Sequence, residues 1–196
     1  MPRRTFVPAS SRPRAPIIRA MRLQLVAYAA DCIIRGTVDL PDGRLTDAVA
    51  AIEVITFRDA SLRALEDGHL VRCDELSVAR DALCLVEVHG PRGDARRRVR
   101  TVEEMLAAEI GPYLVTAKVH TMPTANLMAS VLRRGPILAM THGMIEFQMA
   151  GERIQRPAEA LAIVLGKVTS LQRPEFMPRL VEVELKRGRD LTLRAS

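Results

Sequence analysis

Two stretches of the chain run in step, VDLPDGRLTDAVAAIEVITFRDASL from Val38 to Leu62 and VHTMPTANLMASVLRRGPILAMTHGMI from Val119 to Ile145. Setting Val38 over Val119 brings Pro41 near Pro123, Leu45 over Leu127 and Ala48 over Ser130. One inserted residue in the later stretch then places Val54 on Ile137, Phe57 on Met140, Asp59 on His142 and Leu62 on Ile145. Downstream, Gly68 meets Gly151 and VARDALCLV (78–86) meets IVLGKVTSL (163–171); upstream, RLQLVAY (22–28) has EMLAAEI (104–110) as a weaker partner. An internal period outranks any single element assignment because it dictates the architecture. It predicts a tandem duplication.

Within each copy the pattern favours strands. CIIRGTVDL alternates apolar and polar residues, the period of a half-buried strand. Pro41-Asp42-Gly43 supplies turn chemistry, since proline presets φ and glycine accepts positive φ. Thr46 is placed to cap a short helix over Asp47–Ala51, Leu45 to plug the end of a small barrel, and Asn126 to cap the corresponding helix in the second copy. Arg58-Asp59 reads as a tight turn between IEVITF and ASLRAL. The expected fold is mainly β: two tandem small β-barrel-like domains of SH3 or Sm size, with short helical turns. They span 21–90 and 104–172, joined by a basic linker at 91–103 and followed by a C-terminal β-hairpin at 173–196. Units of this size bury little surface alone, so they are expected to pack on each other, on a second chain or on a protein partner.

Charge is divided along the chain. Residues 1–20 carry five arginines and no acid, and 91–100 carry five arginines against Asp94. By contrast, 21–90 hold seven basic and twelve acidic residues, and 101–172 hold six of each. The net charge of +6 therefore sits in tail and linker, whereas a nucleic-acid-binding face is basic on the domain itself. Residues 1–20 read as a disordered basic tail or an over-long start ahead of Met21. No apolar run is long enough for a membrane-spanning helix. Cys32, Cys73 and Cys84 have no paired spacing, which suits reduced thiols in a cytoplasmic protein.

The order strand, L-P-x-G-R-L-[ST]-D, apolar strand, R-D-A, strand, V-x-x-D resembles a family of small bacterial β domains of unknown function. The matching residues are Leu40, Pro41, Gly43, Arg44, Leu45, Thr46, Asp47, Arg58, Asp59, Ala60, Val78 and Asp81. The second copy departs at Asn126, Ala129 and His142. The resemblance implies a bacterial origin and a small barrel-like fold, and it transfers no catalytic residue.

Chemistry-bearing patterns are sparse. His69, His89, His120 and His142 lack metal-ligand spacing, although His120 and His142 sit at corresponding strand edges. Asp39, Asp42, Asp47 and Asp59 crowd the first turn region, where each has a role as cap or turn former and a carboxylate site is the alternative. There is no phosphate-cradling or dinucleotide glycine motif and no nucleophile elbow, so no cofactor is expected. Arg96 and Arg100 match the RxxxR of PilZ domains, but the companion [DN]xSxxG fails at Asn126-Leu127-Met128. The expectation is a non-enzymatic interaction or ligand-sensing module, with contacts at Arg44, Asp47, Asp59, Arg96, Arg97, Arg98 and Arg100. A nucleic-acid-associated protein using tail and linker is the first alternative, against which stands the lack of stacking rings: no tryptophan, two tyrosines and four phenylalanines. An enzyme with a carboxylate site is the second.

Overall fold

The structure, a computed structural model, describes residues 20–41, 45–88, 101–133 and 135–174. The first half runs β1 (Ala20–Ala29), β2 (Cys32–Pro41), α1 (Leu45–Ala51), β3 (Val54–Ala64), β4 (Leu70–Ala79), a 3-10 turn (Arg80–Ala82) and β5 (Leu83–Val88). The second runs β6 (Val102–Ile110), β7 (Tyr113–Thr121), α2 (Leu127–Leu132), β8 (Ile137–Met149), β9 (Glu152–Val164), a 3-10 turn (Leu165–Lys167) and β10 (Val168–Gln172). The protein is mainly β, as its alternating segments predict. The expected C-terminal hairpin, the basic tail and residues 91–100 of the linker lie outside the described residues.

All ten strands join in one antiparallel sheet in the order β10-β6-β7-β8-β9-β5-β1-β2-β3-β4. This order does not close on itself. In place of two separate closed barrels there is a continuous open sheet, made so by the pairing of β5 with β9 through Leu85–Ile163, Val86–Ala162 and Glu87–Leu161. The same element order and the same strand order occur in each half. Three irregularities also fall at corresponding places. The β2–β3 ladder slips between Arg35 and Thr37, and β7–β8 slips between Thr116 and Lys118. β1–β5 slips at Tyr28/Ala29, and β6–β10 slips between Val168 and Ser170. Asp59 and His142 both take a left-handed backbone, at φ 49° and 50°.

That conformation corrects the reading of Arg58-Asp59 as a tight turn. β3 runs unbroken through Asp59, and the positive φ bends the strand at a bulge rather than reversing it. Where the strands cross at this bend the backbones approach closely. A Cβ on Gly36 would meet the Arg58 carbonyl at 2.8 Å and Ala60 Cα at 3.4 Å, and one on Gly143 would meet Ala117 Cβ at 2.5 Å. Gly36 corresponds to Ala117, and Ala60 to Gly143. The two halves thus leave out a methyl at the same crossing, from opposite strands.

Registers also correct the upstream alignment. Tyr28 pairs with Ile33 as Glu109 pairs with Leu114, so 22–28 match 103–109 rather than 104–110. Capping differs as well. α1 begins at Leu45 and takes in Thr46, so Thr46 is not its cap, whereas Asn126 accepts from Ala129 N–H at 3.1 Å as expected. Arg80 closes the other end of α1, donating to the carbonyls of Ala50 and Ile52 at 2.7 and 3.3 Å.

The core divides into two clusters, each built from both halves. One gathers Leu25, Ile34, Val38, Leu40, Val49, Ile55, Phe57 and Leu83 with Ile137, Ala162 and Val164 from the second half. The other gathers Leu106, Tyr113, Val115, Leu138, Met140, Ile145 and Phe147 with Val26, Tyr28, Ile33 and Leu85 from the first. Residues alternate between the two clusters along 25–29 of β1 and 161–164 of β9, and 83–87 of β5 feed both, so these stretches are buried on both faces. That is why LCLVEV and ALAIV read as nearly unbroken apolar runs instead of alternating.

Candidate functional site

At the seam between the halves a polar group sits inside the core. Glu87 of β5 is 1% exposed, yet it accepts from the Tyr28 hydroxyl at 2.9 Å and pairs with the Arg156 guanidinium at 3.2 Å. Burial first, and then the Glu87 carboxylate, raises the Tyr28 phenol far above its ordinary range, so it stays protonated and donating. Beside it, Tyr28, Tyr113 and Phe147 stack edge to face at 5.4–6.2 Å between centroids, and Tyr113 donates to the Ala29 carbonyl at 2.6 Å. Both tyrosines of the chain are therefore committed to the interior.

Above this seam lies a concavity of about 280 Å³. Its first wall is a patch on one face of β2, β3 and β4. Ile33, Arg63 and Leu70 form one cross-strand row, and Arg35, Ser61 and Arg72 form the next. The facing wall comes from β8 and β9, with Phe147, Met149, Ile154 and Arg156. Four arginines thus line one hollow together with five apolar side chains. Arg156 is held by Glu87, whereas no carboxylate among the described residues pairs with Arg35, Arg63 or Arg72. Cross-strand neighbours stand about 5 Å apart and diagonals about 7–8 Å, and like charges in that relation are destabilising. At ~7 Å in water each diagonal pair, Arg35 with Arg63 and Arg63 with Arg72, repels by about 0.6 kcal/mol. A bound anion reverses that sign.

The residues singled out from sequence fall elsewhere. Arg44, Arg96, Arg97, Arg98 and Arg100 lie outside the described residues. Asp47 is exposed on α1 and Asp59 is exposed at the β3 bend; neither lines the concavity. Asp39 is bridged by Arg58 at 2.8 Å and by Arg22 at 3.1 Å, and the Arg22 hydrogen bond leads in holding its carboxyl below the usual range. Asp42 lies outside the described residues, and Asp39, Asp47 and Asp59 are not gathered at one cleft. His120 bonds Thr141 at 2.8 Å, and among the described residues no cluster of His, Cys, Asp and Glu is arranged to hold a metal. All three cysteines are free. No helix among the described residues is long and apolar enough to cross a membrane.

The pocket arginines escape sequence reasoning because each reads as the solvent-facing member of an alternating strand. Only the cross-strand register brings Arg35, Arg63 and Arg72 together, and only the β5–β9 seam adds Arg156. Against known proteins the chain has no matching family model, no significant match among curated proteins and none among solved structures.

Proposed function

We propose that this chain is a non-enzymatic, ligand-sensing module that takes a small anion carrying a phosphate or carboxylate on an apolar body. The carrying observation is the hollow in which Arg35, Arg63 and Arg72 face Arg156, with no carboxylate among the described residues pairing the first three. Guanidinium groups match planar or tetrahedral oxyanions through paired donors, and Ile33, Leu70, Phe147, Met149 and Ile154 offer the apolar part a surface. The volume suits the lower end of small-molecule sites, about 300 Å³. Ser61 stands in the lining, and among the described residues no histidine or carboxylate lines it to serve as a general base. A tandem repeat of one five-stranded unit, akin to small bacterial β domains, accounts for the site's place at the seam. A cytoplasmic setting accords with three free thiols.

Calorimetric titration with phenyl phosphate and inorganic phosphate at low ionic strength tests this reading. Each lost charge-assisted hydrogen bond is worth about 1.5–3 kcal/mol. Arg63→Ala or Arg72→Ala is therefore expected to weaken phenyl phosphate by roughly 10- to 150-fold. Equal affinity for wild type and both variants refutes the site. Association with nucleic acid through the basic tail (1–20) and linker (91–103) is the competing reading. It predicts salt-sensitive oligonucleotide binding that survives loss of Arg63 and Arg72.

A further inference from the structure

Among the described residues, the two end strands of the sheet carry the same kind of edges that meet at the seam between the halves. β5 and β10 occupy the same place in their halves: each follows a 3-10 turn and pairs with the first strand of its half through the same slip. β4 and β9 likewise correspond, each pairing with the bent strand before it. Within the chain the edge of β9 meets the edge of β5. Among the described residues β4 pairs only with β3, and β10 only with β6. One end of the sheet thus presents the counterpart of β9, and the other end the counterpart of β5.

We propose that a second copy of this chain docks there, β4 of one molecule adding to β10 of the next as β9 adds to β5 inside each. Carried across the correspondence, the seam pairs Leu85–Ile163, Val86–Ala162 and Glu87–Leu161 become Ser170–Val78, Leu171–Ser77 and Gln172–Leu76. Two observations favour this occupant. The end-strand segments Leu76–Ala79 and Val168–Gln172 contain no charge and no proline, the usual guards of an edge left open to water. The residue flanking the free edge is also uncovered: Val54, beside Ala79, is 53% exposed, while its counterpart Ile137 at the internal seam is 7% exposed. The contact is head-to-tail, so it generates a ring when the rotation closes and a filament when it does not. It replaces the seam's Tyr28 and Glu87 with Glu109 and Gln172, and is accordingly weaker than the internal joint. The assembly is independent of the anion site.

Sedimentation equilibrium over a wide concentration range tests it, with the full chain and the variants Ser77→Lys and Ser170→Lys. The counterparts of these positions are Ala162 and Leu85, both 0% exposed, so a lysine there is tolerated in the single chain and excluded from the contact. Wild type is expected to grow in mass by whole chains. Each variant alone is expected to stay monomeric with an unchanged circular dichroism spectrum. An equimolar mixture of the two retains one complete pair of edges and is expected to stop at a heterodimer. A single variant that still dimerises overturns the proposal in favour of like edges pairing. A wild type that is monomeric throughout overturns it too. Should either variant unfold, hydrogen exchange of the wild type decides: protection of 76–79 and 168–172 must rise with concentration, and concentration-independent protection sinks the proposal.

Discussion

Gly143→Ala tests whether the crossing of the bent strands is sterically closed, and Ala117→Gly in the same chain tests whether the two halves solve it in the same way. The added methyl would stand 2.5 Å from Ala117 Cβ, 3.1 Å from the Thr116 carbonyl oxygen and 3.3 Å from Leu161 Cδ1. Gly143 does not hold a left-handed backbone, so the penalty is contact alone. Ala117 Cβ is fixed to the backbone and cannot rotate away, which places the cost near the top of the overpacking range of about 1–3 kcal/mol. A return of about 0.5–1 kcal/mol comes from replacing glycine inside a strand, leaving the single variant roughly 2 kcal/mol less stable. Ala117→Gly alone forfeits a buried methyl, about 0.8 kcal/mol, and adds a strand glycine, for a loss of roughly 1.5 kcal/mol in all. In the double variant the severe contact is gone and only the two tight ones remain, the arrangement already present at Gly36 and Ala60. Its expected loss is about 1 kcal/mol, and the coupling between the sites about 2–3 kcal/mol. Urea unfolding followed by circular dichroism reads these values from the midpoint, provided the slope is constant across the series. Losses that simply add in the double variant refute the correspondence.

Two further outcomes follow from buried chemistry. Arg156→Ala removes a cation from a carboxylate that is 1% exposed; because Arg156 is itself partly exposed, the loss sits at the lower end of the buried-pair range, about 3 kcal/mol. Adding Glu87→Gln returns part of it by removing the buried charge while leaving Tyr28 an acceptor, and a double variant no more stable than Arg156→Ala contradicts the pairing. Burial, aided by Asp31, pushes the Cys32 thiol from 9.0 up to about 11. A raised thiol favours the neutral form in the native state, so its contribution is whole below pH 9.0 and is lost as pH rises through about 11. Melting temperature over that window is expected to fall more in wild type than in Cys32→Ala. Alkylation of Cys32 as fast as a free thiol at about pH 8 rules this out.

The doubled pattern is visible in the sequence because turns and helix starts are written in local chemistry: Pro41 and Pro123, Asn126, Gly68 and Gly151. Phase is harder. LVAYA and LAAEI place small or apolar residues on both faces, so alternation cannot tell one register from its neighbour, and the upstream alignment slips by one residue. Arg58-Asp59 is polar enough to look like a turn, yet a left-handed residue inside a strand gives the same signature with a bend instead. Pairing between distant strands is the least legible. Nothing near Leu85 names Ile163 as its neighbour, and without that seam neither the shared cores nor the ring of arginines can be drawn.

Because 25–29 of β1, 83–87 of β5 and 161–164 of β9 are covered on both sides, synthesis leaves the chain exposed for an interval. When Val88 has been made, every strand of the first half exists, but Tyr28, Leu85 and the buried side of Glu87 still lack the partners that arrive with Tyr113, Phe147 and Leu161–Ile163. A nascent chain paused before β9 therefore carries a raw sheet edge and an uncovered aromatic face, the form most open to chaperones and proteases. A truncation inside β9 is accordingly expected to leave no stable half behind, since each core is finished only by the other's strands.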